Sequence, residues 1–431
     1  MPTALRREAI IRAALEDELL DEAMPLVGMV DRDELHARVR ELQEAFEGRS
    51  PMQHMVATKA ATLVPLLAEL IDRGIGCEVA SPGELAMARA AGAPVDRMIF
   101  DSPAKTTADL RDCLDRGIPL NIDGFQELER VDALIAEGRI PTRAGFRINP
   151  QRGAGSIDAM STATPTSKFG VGIRDEGARE RLIQAYVDRP WMRHLHVHSG
   201  SQGVSLAQMA LGIRDMVEIA DEIDRRCGQA RITHLDIGGG LPVNFDGDET
   251  APTFREYREV LEQTVPGLLD GRRMIITEFG RALLAKAGFI LTRVEYTKQT
   301  GGRRIAIAHA GAQIATRTVF VPEAWPVRVA VHGRNGSVKQ GPRVEQDVAG
   351  PCCFAGDMLA RGRELPVIEQ GDLLAALDTG AYYFSTHYAY NALPRCAVYF
   401  AEGDDDSIRF SPIRRAETLE EQLAAAGADL R

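Results

Sequence analysis

The 431-residue chain is poor in cysteine, carries no excess of basic charge and contains no long apolar run. Its six cysteines show no paired spacing beyond the adjacent Cys352 and Cys353, which argues against a disulfide framework and for a reducing compartment. All six are expected as free thiols, most of them buried and inert, with Cys353 the exception. The net charge of −11 argues against a nucleic-acid partner held by bulk electrostatics, although a small anion needs only a local cluster of donors. No stretch approaches the roughly 18 apolar residues of a membrane span. Residues 1–24 are charged, and acidic in their second half, so they do not read as a secretory signal. No internal repeat or low-complexity segment is evident. The expectation is a cytoplasmic globular protein without nucleic-acid or membrane partners. It is too long for one average domain and suits a large domain plus a smaller one.

An amphipathic helix is expected over 5–23, a strand over 26–30, and a helix capped by Asp31 that runs to about Phe46. Short apolar strand candidates then alternate with helices. The strands fall at 54–58, 76–80, 97–100, 119–122, 144–148, 193–198, 232–237 and 273–278. The helices fall at 62–73, 83–91, 107–116, 125–137, 176–187, 205–226 and 253–268. Eight units with no evident reversal favour a (β/α)8 barrel over an open doubly wound sheet, with bounds at 31–287. After about residue 288, candidate strands (289–297, 304–308, 327–331, 373–378, 396–400) follow one another through turns such as Gly301-Gly302 and Asn335-Gly336. A helix returns only at 416–426. An all-β domain is therefore predicted over 288–431, with 1–30 as an N-terminal extension.

In such a barrel ligands sit at the C-terminal strand ends. Lys59 ends the first strand. A lysine buried there would have a lowered pKa and a nucleophilic amine, able to form an imine with an aldehyde; paired with a buried acid it would be structural. His194, His196 and His198 alternate along one strand and share a face, followed by Gly200-Ser201-Gln202. A His-x-His pair can ligate zinc, with His234 and Asp236 as the further ligands on offer, or it can include a ring that stacks on a flat cofactor. His194 reads as a core histidine. Gly238, Gly239 and Gly240 follow Asp236-Ile237 and let backbone amides approach a phosphate. In Glu278-Phe279-Gly280-Arg281, Gly280 and Arg281 can add phosphate donors. Glu278 beside a pyridine nitrogen would keep it protonated, or it pairs with Arg281 or a neighbouring arginine. Farther on, Cys353 can donate a proton to a carbanion, and Tyr382 can bind phosphate through its hydroxyl. Together these segments describe a site for a phosphorylated cofactor.

Taken in order, the motifs resemble the fold-type III pyridoxal-phosphate decarboxylases, the diaminopimelate decarboxylases most and the ornithine decarboxylases more distantly, over about residues 25–400. The resemblance implies pyridoxal 5'-phosphate as cofactor, no metal, an amino acid substrate that loses carbon dioxide, and a homodimer with shared sites. It implies Lys59 as the lysine that bonds the cofactor, His198 as the stacking ring and Glu278 as the pyridinium partner. Ser201, Gly238, Gly239, Gly240, Gly280, Arg281 and Tyr382 would surround the phosphate. Arg147 and Lys168 would line the pocket, and Cys353 would reach across the dimer interface as proton donor.

The chain also departs from the family pattern. Diaminopimelate decarboxylases usually read Cys-Glu-Ser-Gly/Ser-Asp, where the glutamate meets a distal ammonium; here the stretch is Cys353-Phe354-Ala355-Gly356-Asp357. Their Arg-Pro-Ala-Leu-Tyr appears as Arg317-Thr318-Val319-Phe320-Val321, a usual proline is Phe279 and a usual aspartate is Glu78. An ammonium buried without its acid would defeat binding. The expected substrate is therefore an amino acid with a carboxylate or neutral distal end, of the secondary-metabolite or siderophore type, contacted by Arg281, Arg317, Phe354 and Asp357. A D-lysine or D-ornithine decarboxylase would need Asp357 as the distal acid. Other readings are a genuine diaminopimelate decarboxylase, a racemase on the related barrel, a zinc hydrolase using His196 and His198, and a non-enzymatic cofactor-binding protein.

Overall fold

A computed structural model describes residues 3–157 and 160–430. It divides into two compact units. One comprises Arg38–Val243 and Ala251–Leu283; the other comprises the chain up to Ala37, Asn244–Thr250 and the chain from Leu284.

The first unit is built on eight parallel strands, Met52–Ala57, Gly76–Val79, Met98–Asp101, Leu120–Ile122, Ala144–Asn149, Met192–Val197, His234–Asp236 and Met274–Glu278. Each pairs with the next, and the last returns to the first through Ile275 opposite Met52 to Glu278 opposite Met55. The sheet is thus a closed barrel, and the open-sheet alternative falls. Most of these strand residues are buried, which is why they read as short apolar runs bounded by helix signals. Local capping fixes the helix starts. Thr106 and Asp109 form a reciprocal capping box at Thr107–Arg116, which ends at left-handed Gly117, and Thr253 and Glu256 do the same at Phe254–Thr264. A two-residue strand, Val171–Gly172, also pairs with Ala144–Asn149 and was not anticipated.

Side chains on a strand alternate between the barrel interior and the helices. Met55 and Ile276, from the paired first and eighth strands, meet Ile99 of the third strand in one apolar cluster across the interior. Two positions farther on, Ala57, Asp101 and Glu278 share that inward face at the C-terminal strand ends. On this side the interior is apolar below and ionisable at the mouth, whereas His194 and His234, two positions before His196 and Asp236, place polar groups deeper on the sixth and seventh strands.

In the second unit, nine strands form a mixed sheet. Leu26–Asp31 runs antiparallel to Gly288–Thr300 and parallel to Ala397–Glu402. Arg343–Ala349, Met358–Pro366 and Arg409–Arg414 are strands without a counterpart in the sequence reading. They carry charge along exposed positions, so their apolar signal is diluted, and it is cross-strand pairing that specifies them. The first helix stops at Glu16, short of 23, where Glu18 takes φ +55° and the Leu19 N–H returns to Ala14 O at 2.9 Å; Asp21 then turns the chain by accepting the Ala23 and Met24 N–H groups at 2.7 and 2.6 Å. Residues 244–250 join this unit through Asp248, which pairs with Arg7 and Arg328. Among the described residues no helix is long and apolar enough to cross a membrane.

Candidate active site

Lys59 lies in a single helical turn, Thr58–Ala60, just beyond the first barrel strand. It is not the buried amine the sequence suggested. Its side chain is 49% exposed, and Nζ donates to Glu78 Oε2 at 2.8 Å. Glu78, at the end of the second strand, is 1% exposed. Burial pushes the Glu78 carboxyl up to about 8 against the pull of Lys59, and Glu278 and Asp101 add to the rise. The amine is thus open to a ligand while a buried acid orients it.

On the fifth strand Arg147 donates to Asp101 Oδ2 at 2.7 Å, with both groups buried. Burial acts to raise the Asp101 pKa, but Arg147, then His196, Lys105 and Lys59 outweigh it and hold the group at about 2. His196 stands between two acids, with Nδ1 3.7 Å from Asp101 Oδ2 and Nε2 3.5 Å from Glu278 Oε2. Asp101, His196 and Glu278 bring their ligand atoms within 4.8 Å of one another. Among the described residues the alternative zinc pair, His196 and His198, is not brought into one ligand cluster. His198 stands outside this cluster, and its Nδ1 accepts the Gly239 N–H at 3.2 Å. Burial, then Arg147 and Lys59, push His198 down to about 3, so its ring is neutral and carries its proton on Nε2. His194 is a core residue against Asn121 Oδ1 at 2.7 Å, and His234 bonds Thr233.

The glycine turn works first by its lack of side chains. A Cβ at Gly239 would lie 2.0 Å from the Glu278 carbonyl oxygen, and one at Gly240 would lie 1.9 Å from that of Gly200. Gly240 also has φ +94°, a conformation open to glycine. Two of the three amides expected for phosphate are already engaged, because Gly238 N–H donates to Asp236 Oδ1 at 2.9 Å and Gly239 N–H to His198. The Gly240 N–H is what the turn retains for an anion. A Cβ at Gly280 would meet that of Ala60 at 2.8 Å, so the turn after the eighth strand packs on the turn that carries Lys59. Arg281 is buried and begins a one-turn helix. Ser201 is half-buried, its N–H on Met160 O. Lys168 and Arg147 lie 4.9 and 4.4 Å from the Phe169 ring. Sequence reasoning missed Asp101, which the strand-end rule could have found. It also missed Phe169, which only packing reveals.

In the second unit the Arg317 guanidinium lies 4.9 Å from the Tyr382 ring and 5.4 Å from that of Trp325. Tyr382 has φ +74°, rare for a bulky residue, and its carbonyl accepts the Ser385 and Thr386 N–H groups. All six cysteines are free; Cys352 is buried, its thiol pushed up to about 11 by burial, and Cys353 is exposed. Phe354 stacks on Phe320 at 5.6 Å and meets Tyr390 edge-on at 5.4 Å, within an aromatic cluster that includes Tyr388. Asp357, expected to contact substrate, is 3% exposed, and its oxygens accept the Ala312 and Cys352 N–H groups at 2.6 and 2.7 Å. It braces the turn that carries Cys352 and Cys353.

Residues 32–285 match the model of the pyridoxal-dependent decarboxylase family, pyridoxal binding domain. The chain belongs to this family and is a pyridoxal-dependent amino acid decarboxylase on an alanine racemase-like barrel. Within the family it is diaminopimelate decarboxylase-like. It is 34% identical to the diaminopimelate decarboxylase of Pseudomonas fluorescens over 91% of this chain and 90% of that one. It is 30% identical to that of Methanothermobacter thermautotrophicus over 94% of each. The crystal structure of diaminopimelate decarboxylase from Helicobacter pylori complexed with L-lysine superposes with TM-score 0.82 at 25% identity, covering 96% of this chain and all of that one.

Proposed function

We propose that the barrel binds pyridoxal 5'-phosphate at Lys59, and that the enzyme decarboxylates an amino acid whose distal end is carboxylate-bearing or neutral. The match of residues 32–285 to the pyridoxal binding domain carries the cofactor reading, and Lys59, although paired with a buried acid, keeps a half-exposed side chain. The glycine turn supports it, since positions 239 and 240 admit no side chain against the Glu278 and Gly200 carbonyls and the turn keeps the Gly240 N–H for an anion. Lys59 would hold the aldehyde carbon, Glu278 the ring nitrogen and His198 one ring face. Gly240, Gly280, Arg281 and Ser201 would hold the phosphate. When bound, the cofactor supplies an electron sink for the pair left behind as carbon dioxide departs.

The chain's own groups prepare this chemistry. Glu78 accepts from the Lys59 ammonium and keeps the amine at the barrel mouth. Arg147 pins Asp101, and Asp101 and Glu278 flank the two nitrogens of His196, which fixes that ring. His198, neutral and oriented by the Gly239 N–H, offers a flat face without adding charge. The exposed Cys353 is the proposed proton donor, delivered to the partner's site in a homodimer. Mixing inactive Lys59→Ala with inactive Cys353→Ala protein should then restore activity; mixtures that stay inactive would refute the shared site.

The substrate reading rests on Phe354 and Asp357. Phe354 brings an aromatic ring where the relatives' motif has a carboxylate, and Asp357 is bonded to backbone N–H groups, so the D-lysine and D-ornithine readings lose their distal acid. Genuine diaminopimelate decarboxylation remains the second reading, favoured by relatives of that name at 34% and 30% identity. Carbon dioxide release across a panel of meso-diaminopimelate, D-lysine, D-ornithine and amino acids with neutral or carboxylate ends decides between them. Preferred turnover of meso-diaminopimelate would sink the altered-substrate reading. A visible chromophore lost in Lys59→Ala supports the cofactor, whereas bound zinc without a chromophore would refute it.

A further inference from the structure

Asp236 and Glu278 end neighbouring strands. Asp236 pairs in register with Ile276, two residues before Glu278, so the two carboxyls share the interior face. Asp236 is 0% exposed and Glu278 6%. Asp236 Oδ1 accepts the Gly238 N–H at 2.9 Å, and Glu278 Oε2 stands 3.5 Å from His196 Nε2. The remaining oxygens, Asp236 Oδ2 and Glu278 Oε1, are buried, and no N–H or O–H donor of the described residues reaches either. The two carboxyls stand on one face of adjacent strands, and each acts on the ionisation of the other.

Ionised carboxylates are acceptors only. Two of them side by side in a buried site leave both oxygens unsatisfied and repel each other. One proton between them turns an orphaned acceptor into a donor and removes the repulsion. Arg147, Lys59 and Lys105 are engaged with Asp101, Glu78 and Glu127, while among the described residues Arg143 bonds only Gln53, at 3.4 Å, and its remaining buried nitrogens reach neither carboxyl. His196 Nε2 faces Glu278 Oε2, not the orphaned Oε1, and its Nδ1 faces Asp101.

We propose that Asp236 is a positioning residue held in its protonated form, donating Oδ2–H to Glu278 Oε1, so that one negative charge is kept on Glu278. Burial and the adjacent Glu278 raise Asp236 well above the usual aspartate range. Burial also acts to raise Glu278, but His196 and the Asp236 bond outweigh it and lower the group, as this assignment requires. Asp236 thereby sets how basic Glu278 is toward whatever binds it. This is a property of the chain itself and does not depend on the substrate reading.

Infrared spectroscopy of the protein without added cofactor tests it, with carboxyl-labelled aspartate. The wild type should show an aspartate carboxylic-acid carbonyl band at about pH 7, roughly three units above an ordinary aspartate. That band should be missing from Asp236→Asn. No aspartate-sensitive band at that pH overturns the proposal without any variant, and so does a band that survives in Asp236→Asn. A second readout is the pH at which the bound cofactor's absorbance changes. Asparagine can accept from Gly238 and donate to Glu278, so D236N should leave that midpoint in place. D236A should move it by about one unit or more. Equal shifts in the two variants would mean that Asp236 is merely packing.

Discussion

Replacing Gly239 by alanine tests the steric logic of the cradle. The new Cβ would sit 2.0 Å from the Glu278 carbonyl oxygen and 2.7 Å from its carbon. Ordinary C···O contacts begin at about 3.3 Å, so the ends of the seventh and eighth strands must separate by more than about 1 Å. Neither side yields easily. Glu278 N–H donates to Gly238 O at 2.9 Å, and the following Phe279 is wedged between Phe254 and Tyr257 at 5.0 and 6.0 Å. Overpacking of this kind costs about 1–3 kcal/mol, which lowers the melting temperature of a unit this size by a few degrees to about 10 °C. The same displacement moves Glu278 and breaks the bond from Gly239 N–H to His198, and a misplacement of about 1 Å in a site is worth roughly 10²-fold in rate. Thermal unfolding and carbon dioxide release, read side by side, check both numbers. Gly83→Ala is the control: it lies exposed in the helix Pro82–Ala90 with Ser81 Oγ its nearest neighbour at 3.7 Å, so alanine should stabilise by about 0.5–1 kcal/mol and leave activity alone. Wild-type stability and rate in Gly239→Ala would refute the argument.

Glu78→Gln should flatten the alkaline stability profile. The Glu78 carboxyl ionises near 4.3 in the unfolded chain but at about 8 when folded, so its contribution is intact below the lower value and lost as pH rises through the upper; urea midpoints at about pH 6 and 9 that fall equally in both proteins would count against this. His54, buried against Thr277 Oγ1 at 2.8 Å, is pushed down by burial to about 4, so the unfolded chain takes up a proton first as pH drops below about 6.5. Stability should fall by up to about 3 kcal/mol across that window, and less in His54→Asn; identical acid slopes would remove the argument. Asp357→Ala should destabilise by about 3 kcal/mol, since two buried N–H groups lose their acceptor. Asp357→Asn should be milder and leave KM unchanged; a raised KM with unchanged melting would restore Asp357 as a substrate contact. Phe354→Glu should gain turnover of meso-diaminopimelate, measured against the wild type in the same assay.

The barrel was legible because its strands are buried on both faces, so each appears as a short apolar run closed by a capped helix. The charged strands Arg343–Ala349, Met358–Pro366 and Arg409–Arg414 were not, since their identity depends on which partner they meet. Lys59 shows a related limit. Its position on the chain suggested an amine at a strand end, but neither its exposure nor its acid nineteen residues on can be read from neighbours in sequence. Asp357 misled for the same reason: an acid in a substrate-determining motif looks available until the backbone N–H groups that fold back onto it are seen. Asp236 had a signal only as a spare metal ligand, and its relation to Glu278 needs the barrel register.

The strand Leu26–Asp31 pairs with Gly288–Thr300 on one side and with Ala397–Glu402 on the other. A ribosome adding about 5–20 residues per second exposes this strand roughly 20–70 seconds before its second partner is made. Barrel residues 38–283 are complete long before then. For that interval Leu26–Asp31 keeps an unpaired apolar edge, a target for chaperones and for aggregation. Messages truncated before residue 397 would leave that edge open permanently and should yield insoluble protein rather than a shortened enzyme.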